Sequence, residues 1–342
     1  MKNKCYRLLD KFGIDNLKIV TETIPDVPPP GHVLVKSHAV SLNYRDILML
    51  DGKYDPRVTL GFIPCSDMAG EIIAVGQNVN ELKNGDFVNS CFYQWPEPSG
   101  LEEKIRFTHT LGGTMDGVLC EYKIFPQWGV TKYSNHLTPQ EASTMPCAGV
   151  VTWHALFDDH RPLAAGDTVV IIGSGGVSSY VIQLAKAAGA IIIVISRSKD
   201  KEEKLKSLGV DHVINSIEFP DWSKKVVELT GRGADRVIET GGSGTLQQSI
   251  YATRANGIIY LIGVVAEPGI LDDKTIKRML MYGVTVKGLL VGHRSLQLKL
   301  NRCMSNNKIK PIIDKTFDFE NANKAFEYLR SGNQLGKITI NI

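Results

Sequence analysis

The richest chemistry in the chain lies in one short run, Gly173-Ser174-Gly175-Gly176-Val177-Ser178, directly behind the apolar stretch Thr168 to Ile172. Glycines let a strand turn sharply into a helix, and the free N–H groups and dipole at a helix start can hold a pyrophosphate. Glycine pairs also occur in ordinary βα turns, so the flanking pattern has to decide. Val177, Val181, Leu184, Ala185 and Ala188 recur at helical spacing, Gly189 stops that helix, and Ala190 to Ile195 reads as a second strand. This is a βαβ unit of the length a dinucleotide site requires, with Gly173, Gly175, Gly176 and Val177 as phosphate contacts. Ser178 stands where the third glycine usually falls, and a small residue still permits close helix–strand packing.

The end of the second strand bears on which dinucleotide binds. NAD sites usually carry an acidic residue about 20 positions beyond the glycines, bonded to the ribose hydroxyls. Here the chain reads Ser196-Arg197-Ser198-Lys199, followed by Lys201. Hydroxyls and a guanidinium suit a 2′-phosphate, which a carboxylate would repel. Ser196, Arg197 and Lys201 therefore point to NADP, although Lys199 and Lys201 can equally decorate an exposed helix start.

The surrounding elements must position these groups. From Thr138 onward strand patterns at 168–172, 191–195, 212–215, 236–240, 257–263 and 285–290 alternate with helical patterns at 201–208, 222–230, 244–252 and 274–281. Such alternation predicts an α/β doubly wound parallel sheet. Thr138 is placed to cap a helix that starts at Pro139. Before it, short apolar runs at 32–39, 70–75, 86–92 and 118–125, broken by Gly, Pro and Asp, predict a β-rich domain. A short helix is expected near Asp46 to Leu50, and a long polar loop from Trp95 to Thr114. Near the end, 319–330 reads as a helix and Lys337 to Ile340 as a strand that must rejoin the first domain, so that the two domains share a cleft.

Composition sets the outer limits. The 342 residues suit two domains, and 43% apolar with 22% charged residues is ordinary for a globular protein. A formal charge of +3, with no basic run interleaved with aromatics, gives no support to a nucleic-acid partner. The start carries no apolar signal core, no run approaches the ~18 apolar residues of a membrane span, and a cytoplasmic location is expected. Six scattered cysteines without C-x-x-C spacing read as buried thiols.

Six motifs extend the reading. Ser41-Leu42-Asn43-Tyr44-Arg45-Asp46, Ser66-Asp67-Met68-Ala69-Gly70-Glu71, Leu111-Gly112-Gly113 with Asp116-Gly117-Val118, Met145-Pro146-Cys147-Ala148-Gly149 with Thr152-Trp153, the glycine turn and Gly336-Lys337 follow one another in order. In these the chain resembles the medium-chain dehydrogenase/reductase superfamily along nearly its whole length. The branch it is most similar to is the zinc-free group of zinc-type alcohol dehydrogenase-like and quinone oxidoreductase-like proteins. The resemblance implies a Rossmann sheet inserted in a GroES-like β-rich domain, divided as 1–146, 147–286 and 287–342, and hydride transfer from a nicotinamide.

It also implies site residues. Metal-dependent relatives place zinc ligands at three separated positions, which hold Asn43, Ser66 and Cys147 here, a poor set for zinc. No metal is therefore expected. Tyr54 falls near the proton-donating tyrosine of 2-enoyl reductases, with Tyr44 a second candidate and Asn43 able to bond the cofactor amide or the substrate oxygen. Arg45 and Asp46 can pair with each other. Thr152 would approach the cofactor phosphates, Gly241, Gly263 and Val264 would border the adenosine and nicotinamide ribose, and Leu289, Leu290 and Val291 would flank the nicotinamide ring. Ser216 replaces a tyrosine that often touches the adenine end. Three functions follow: NADPH-dependent reduction of a quinone or α,β-unsaturated carbonyl, metal-free alcohol or aldehyde dehydrogenation, and non-catalytic NADPH binding. The resemblance also implies a homodimer through the edge of the Rossmann sheet.

Overall fold

Among the described residues up to Lys132 the chain forms strands with little helix, as its short apolar runs require. The computed structural model describes residues 1–96 and 108–342. It gives β1 (Lys2–Leu8), β2 (Leu17–Thr23), β3 (His32–Ser41), α1 (Tyr44–Leu50), β4 (Asp67–Val75), β5 (Phe87–Ser90), β6 (Tyr122–Pro126) and β7 (Val130–Lys132). The helix α2 (Pro139–Ser143) starts where its signals place it: the Thr138 hydroxyl accepts from Glu141 N–H at 3.2 Å, and the Glu141 carboxylate accepts from Thr138 N–H at 2.8 Å.

Then strands and helices alternate: α3 (Val150–Phe157), β8 (Thr168–Ile172), α4 (Gly176–Ala187), β9 (Ile191–Ser196), α5 (Glu202–Ser207), β10 (His212–Asn215), α6 (Trp222–Thr230), β11 (Ala234–Glu239), α7 (Ser243–Ala252), β12 (Thr253–Leu261), α8 (Asp273–Tyr282) and β13 (Thr285–Gly288). The chain ends in α9 (Arg294–Asn306), β14 (Ile313–Asp318), α10 (Ala322–Ser331) and β15 (Lys337–Asn341). Two compact units result, residues 1–150 with 291–342, and residues 151–290.

In the second unit the sheet order is β10-β9-β8-β11-β12-β13, every pairing parallel. The order reverses between β8 and β11, the place where doubly wound sheets open a ligand crevice at the strand ends. Thr168–Ile172 is buried throughout, which explains its unbroken apolar run: a parallel strand is covered on both faces. Val170, Ile193, Val237 and Ile259 pack with Trp222 and Val226 in its core.

In the first unit a seven-stranded sheet runs β14-β15-β3-β4-β5-β7, with β6 also pairing β3. The last strand does return to the first unit, antiparallel to β3 with Thr339 opposite Ser41. Beneath lies a core that includes Val33, Val35, Met68, Ile72, Phe125, Phe326 and Ile338.

Several local expectations shift. The expected strand at 118–125 is interrupted because Val118 and Leu119 N–H donate to the Pro64 and Cys65 carbonyls, and regular pairing begins only at Tyr122. β12 starts at Thr253, ahead of the predicted Gly257, with a register irregularity in its pairing to β11. Much of the predicted 95–114 loop lies outside the described residues. Among those described, no helix is long and apolar enough to cross a membrane.

Candidate active site

The glycine run follows β8 as predicted. Gly173 has φ +83, a conformation a side chain rarely tolerates, and a Cβ added at Gly173 or Gly175 would meet nothing within 4 Å. The backbone there is therefore open on one side, while no side chain caps the start of α4. Such an uncapped N-terminus offers its first-turn N–H groups to an anion. Ser178 is buried, with its hydroxyl 3.4 Å from the Ile172 carbonyl, so the small residue does allow close packing. Thr152 is fully buried and donates to the Val177 carbonyl at 3.4 Å, bracing the first turn of α4.

Across the reversal point, Thr240 Oγ1 donates to the Ile172 carbonyl at 2.8 Å and ties the ends of β8 and β11 together. Glu239, wholly buried, organises the next turn: it accepts from Gly241 N–H at 2.7 Å, Gly242 N–H at 3.1 Å, Thr245 Oγ1 at 2.6 Å and the Ser249 hydroxyl. Gly263 has a packing reason to be glycine, because a Cβ there would lie 2.3 Å from the Thr240 carbonyl oxygen. Val264 beside it is exposed.

At the end of β9, Ser196 is buried and exchanges 3.2 Å hydrogen bonds with the Ser198 backbone. Arg197 is exposed, and Lys201 half-buried at the end of a 3-10 turn. Leu289 is buried and bonds its N–H to the Leu261 carbonyl at 3.0 Å, Leu290 is exposed, and Val291 begins the return segment of the first unit.

A second polar centre lies in the first unit, where neighbouring strands bring separated motifs together. Asn43 leaves β3 and precedes α1, Asp67 starts β4, Lys337 starts β15, and Cys147 sits in a π-helical turn at Met145–Gly149. Lys337 is only 2% exposed, and its ammonium donates to the Leu42 carbonyl at 2.7 Å and to Asn43 Oδ1 at 2.6 Å, with Asp67 at 3.9 Å. Lysine has no acceptor, so this contact fixes which face of the Asn43 amide is oxygen. The amide nitrogen, Nδ2, is buried without a hydrogen bond. Asp67 also accepts from the Ser66 hydroxyl at 2.6 Å and from Cys147 N–H at 3.1 Å.

Burial governs the charges here. It pushes Asp67 above the usual carboxylate range, opposed first by Lys337 and then by the Asn43 amide alongside. Asp46, fully buried, is raised by desolvation to about 6. Burial likewise raises the Cys147 thiol, so that it stays protonated near neutrality. The centre thus holds one buried ammonium, two carboxyls that resist ionisation and the Asn43 amide beside Asp67.

Arg45 and Asp46 make no direct ion pair, although the Arg45 charge opposes the rise of the Asp46 carboxyl. The Arg45 guanidinium donates to the Leu111 carbonyl at 2.9 Å and lies over the Phe92 and Tyr54 rings, 5.0 and 5.2 Å from their centroids. Asp46 instead accepts the Asn43 backbone N–H at 2.8 Å, as helix starts favour, and its other oxygen has no partner. Tyr54 is 40% exposed and held from below by Arg45, while Tyr44 is half-buried at the first position of α1. Among the described residues, no group of three or more His, Cys, Asp or Glu is arranged to hold a metal ion.

Two functional candidates carry no role in the sequence reading, Lys337 and Glu239. Lys337 had a signal: it is the sole charged residue of the strand Lys-Ile-Thr-Ile-Asn. Glu239 had a weaker one, an acidic residue closing an apolar strand directly before two glycines.

Residues 29–135 match the family described as alcohol dehydrogenase GroES-like domain, and residues 176–305 match the zinc-binding dehydrogenase family. A zinc-type alcohol dehydrogenase-like protein of Schizosaccharomyces pombe is 36% identical over 334 residues, covering 96% of each chain. An acryloyl-coenzyme A reductase of Sulfurisphaera tokodaii is 29% identical, over 93% of this chain and 95% of that protein. A crystal structure of a Sinorhizobium meliloti protein described as an alcohol dehydrogenase superposes with a TM-score of 0.89 at 34% identity, covering 100% of this chain and 99% of that one. With its GroES-like and Rossmann parts in place, the chain belongs to the medium-chain dehydrogenase/reductase superfamily and is an NAD(P)-dependent oxidoreductase of that type.

Proposed function

We propose that this oxidoreductase delivers a hydride from NADPH to an α,β-unsaturated carbonyl or a quinone without a catalytic metal. The observation that carries the reading is the Lys337–Asn43 contact. At the positions where metal-dependent relatives offer ligands, Asn43 Oδ1 is spent on an ammonium and the Ser66 hydroxyl is donated to Asp67, leaving one protonated thiol, Cys147. A buried cation already stands among these groups, and a second would be repelled. The donor set does not fit zinc, and no step is drawn through it.

The nucleotide cradle does fit a dinucleotide, and when bound the nicotinamide supplies the hydride. The open backbone of Gly173 to Val177 would hold the pyrophosphate, and Ser196 and Arg197 the 2′-phosphate. Gly241, Gly263 and Val264 would border the sugars. Leu289, Leu290 and Val291 would flank the ring.

Simple alcohols need their oxygen stabilised as alkoxide, which a metal ordinarily does. A conjugated carbonyl is less demanding, because hydride addition spreads charge into an enolate that hydrogen-bond donors can stabilise. The Asn43 amide, set beside Asp67, would bond that oxygen or the cofactor amide, and the exposed Tyr54 phenol is the proton source, with Tyr44 its alternate. The similarity to a relative named as an acryloyl-coenzyme A reductase supports this substrate class.

A homodimer belongs to the same reading. β13 is an edge strand, and at the end of α8, just before it, Leu280 and Met281 are strongly exposed, an apolar surface that suits a second copy.

Following NADPH oxidation with a quinone, an enone and an aldehyde, and NADP+ reduction with an alcohol, tests the proposal. Turnover of the first two, with Tyr54→Phe slowing kcat, is expected. Turnover confined to the alcohol and aldehyde would overturn it.

A further inference from the structure

All six cysteines are free, and two of them face one another. Cys5, in β1, and Cys120, just before β6, are opposed in an isolated antiparallel bridge. The flanking hydrogen bonds define which kind of pair this is. Tyr6 N–H donates to the Leu119 carbonyl at 3.0 Å, and Glu121 N–H to the Lys4 carbonyl at 2.9 Å. The bonds thus lie on either side, and Cys5 and Cys120 form the pair without mutual hydrogen bonds. In such a pair the Cα atoms approach to about 4.5 Å and both side chains leave the same face. A disulfide needs Cα atoms roughly 4.4–6.8 Å apart, so this backbone meets the requirement without moving.

We propose that Cys5 and Cys120 are a dithiol site that closes to a cross-strand disulfide when a small-molecule disulfide oxidises it. One thiolate attacks the oxidant, breaking its S–S bond, forming a mixed disulfide and releasing one small thiol. The second cysteine then attacks the protein sulfur and expels the other small thiol. Two protons and two electrons leave the cysteines, one S–S bond forms in the protein, and one breaks in the oxidant.

The folded state restrains the first step. Cys5 is 0% and Cys120 1% exposed, and burial pushes their thiols up to about 12 and about 11. Attack therefore waits for β1 to lift from its neighbours. The Arg7–Asp116 ion pair at 2.9 Å and the bond from Leu8 N–H to the Phe62 carbonyl oppose that opening. Closure would lock the start of the chain to the 117–120 segment. That segment itself packs on Ile63 to Cys65, immediately before Ser66 and Asp67: Gly117 N–H donates to the Ile63 carbonyl at 2.6 Å and Val118 N–H to the Cys65 carbonyl at 3.0 Å. Oxidation at one side of the first unit would thus stiffen the backbone that presents the buried polar centre.

The test is equilibration of the whole protein with oxidised glutathione, with and without urea below the unfolding transition, followed by alkylation and peptide mapping. The expected product has lost two hydrogen masses, yields a reducible peptide pair joining Cys5 to Cys120, and melts about 5 °C or more higher, since the bond closes a long loop. The pair forms faster in urea and persists in Cys303→Ser. Recovery of Cys5 and Cys120 as separately alkylated thiols or separate glutathione adducts after equilibration in urea would overturn the proposal. So would linkage of either residue to another cysteine.

Discussion

The ammonium of Lys337 lies 2.6 Å from the side-chain oxygen of Asn43, deep in the first unit and 3.9 Å from Asp67. Three strands from distant parts of the sequence meet to make this contact. Removing the cation should leave the Asn43 amide oxygen and the Leu42 carbonyl without their donor and take from Asp67 its neighbouring positive charge. Lys337→Met is therefore expected to lower stability by about 3–5 kcal/mol, read by urea unfolding with an unchanged m-value. A loss under ~1 kcal/mol would mean that the centre relaxes without its cation.

Asp46 gives stability a pH dependence of unusual sign for an acid. Its folded pKa, about 6, lies above the 3.8 of a free carboxyl because burial disfavours the charge. Between these values the unfolded chain has released the proton and the folded chain retains it. This group's contribution is therefore full below pH 3.8 and is lost as pH rises through about 6. Asp46→Asn removes the term and keeps an acceptor for the Asn43 N–H. The variant should match the native protein below pH 4 and exceed it by about 3 kcal/mol above pH 6. Parallel unfolding curves from pH 4 to 8 check this, and an equal offset at every pH would contradict it.

Arg197 is the residue on which the NADPH preference turns. Arg197→Glu should raise KM for NADPH by about 10- to 100-fold, the worth of a charge-assisted contact, while KM for NADH stays level or falls. Equal affinity for both cofactors in native protein and variant alike would remove the preference.

The exposed helix α8 offers a test of assembly. Leu280, 80% exposed, sits beside Met281 on a surface rich in apolar side chains. Leu280→Asp should convert a dimer to a monomer at micromolar concentration in sedimentation velocity, leaving the circular dichroism spectrum intact. A native protein that sediments as a monomer would refute this interface.

Much of this architecture was legible because local and global signals agree. The glycine turn, the fully buried β8 and the Thr138 cap each specify their structure within a few residues, and all appear where the pattern places them. Strand limits were less legible, as at Val118 and Leu119, whose N–H groups are claimed by the distant Pro64 and Cys65 carbonyls. The polar centre was half legible. Asn43, Ser66 and Cys147 stand out as residue types, but their bonding to Lys337 and Asp67 follows from sheet order. The expected direct Arg45–Asp46 ion pair does not form, for a like reason: their hydrogen bonds go to a helix cap and to the Leu111 carbonyl, and only the charge of Arg45 reaches Asp46. The cysteines show the same limit, since only the β1 register sets Cys5 against Cys120.

The central claim is hydride transfer without a metal, and metal content measured beside turnover tests it most directly. Protein dialysed against a strong chelator should contain far less than one zinc per chain and oxidise NADPH with an enone or quinone at an undiminished kcat. One zinc per chain in the purified protein, with activity lost on chelation and restored by zinc alone, would contradict it.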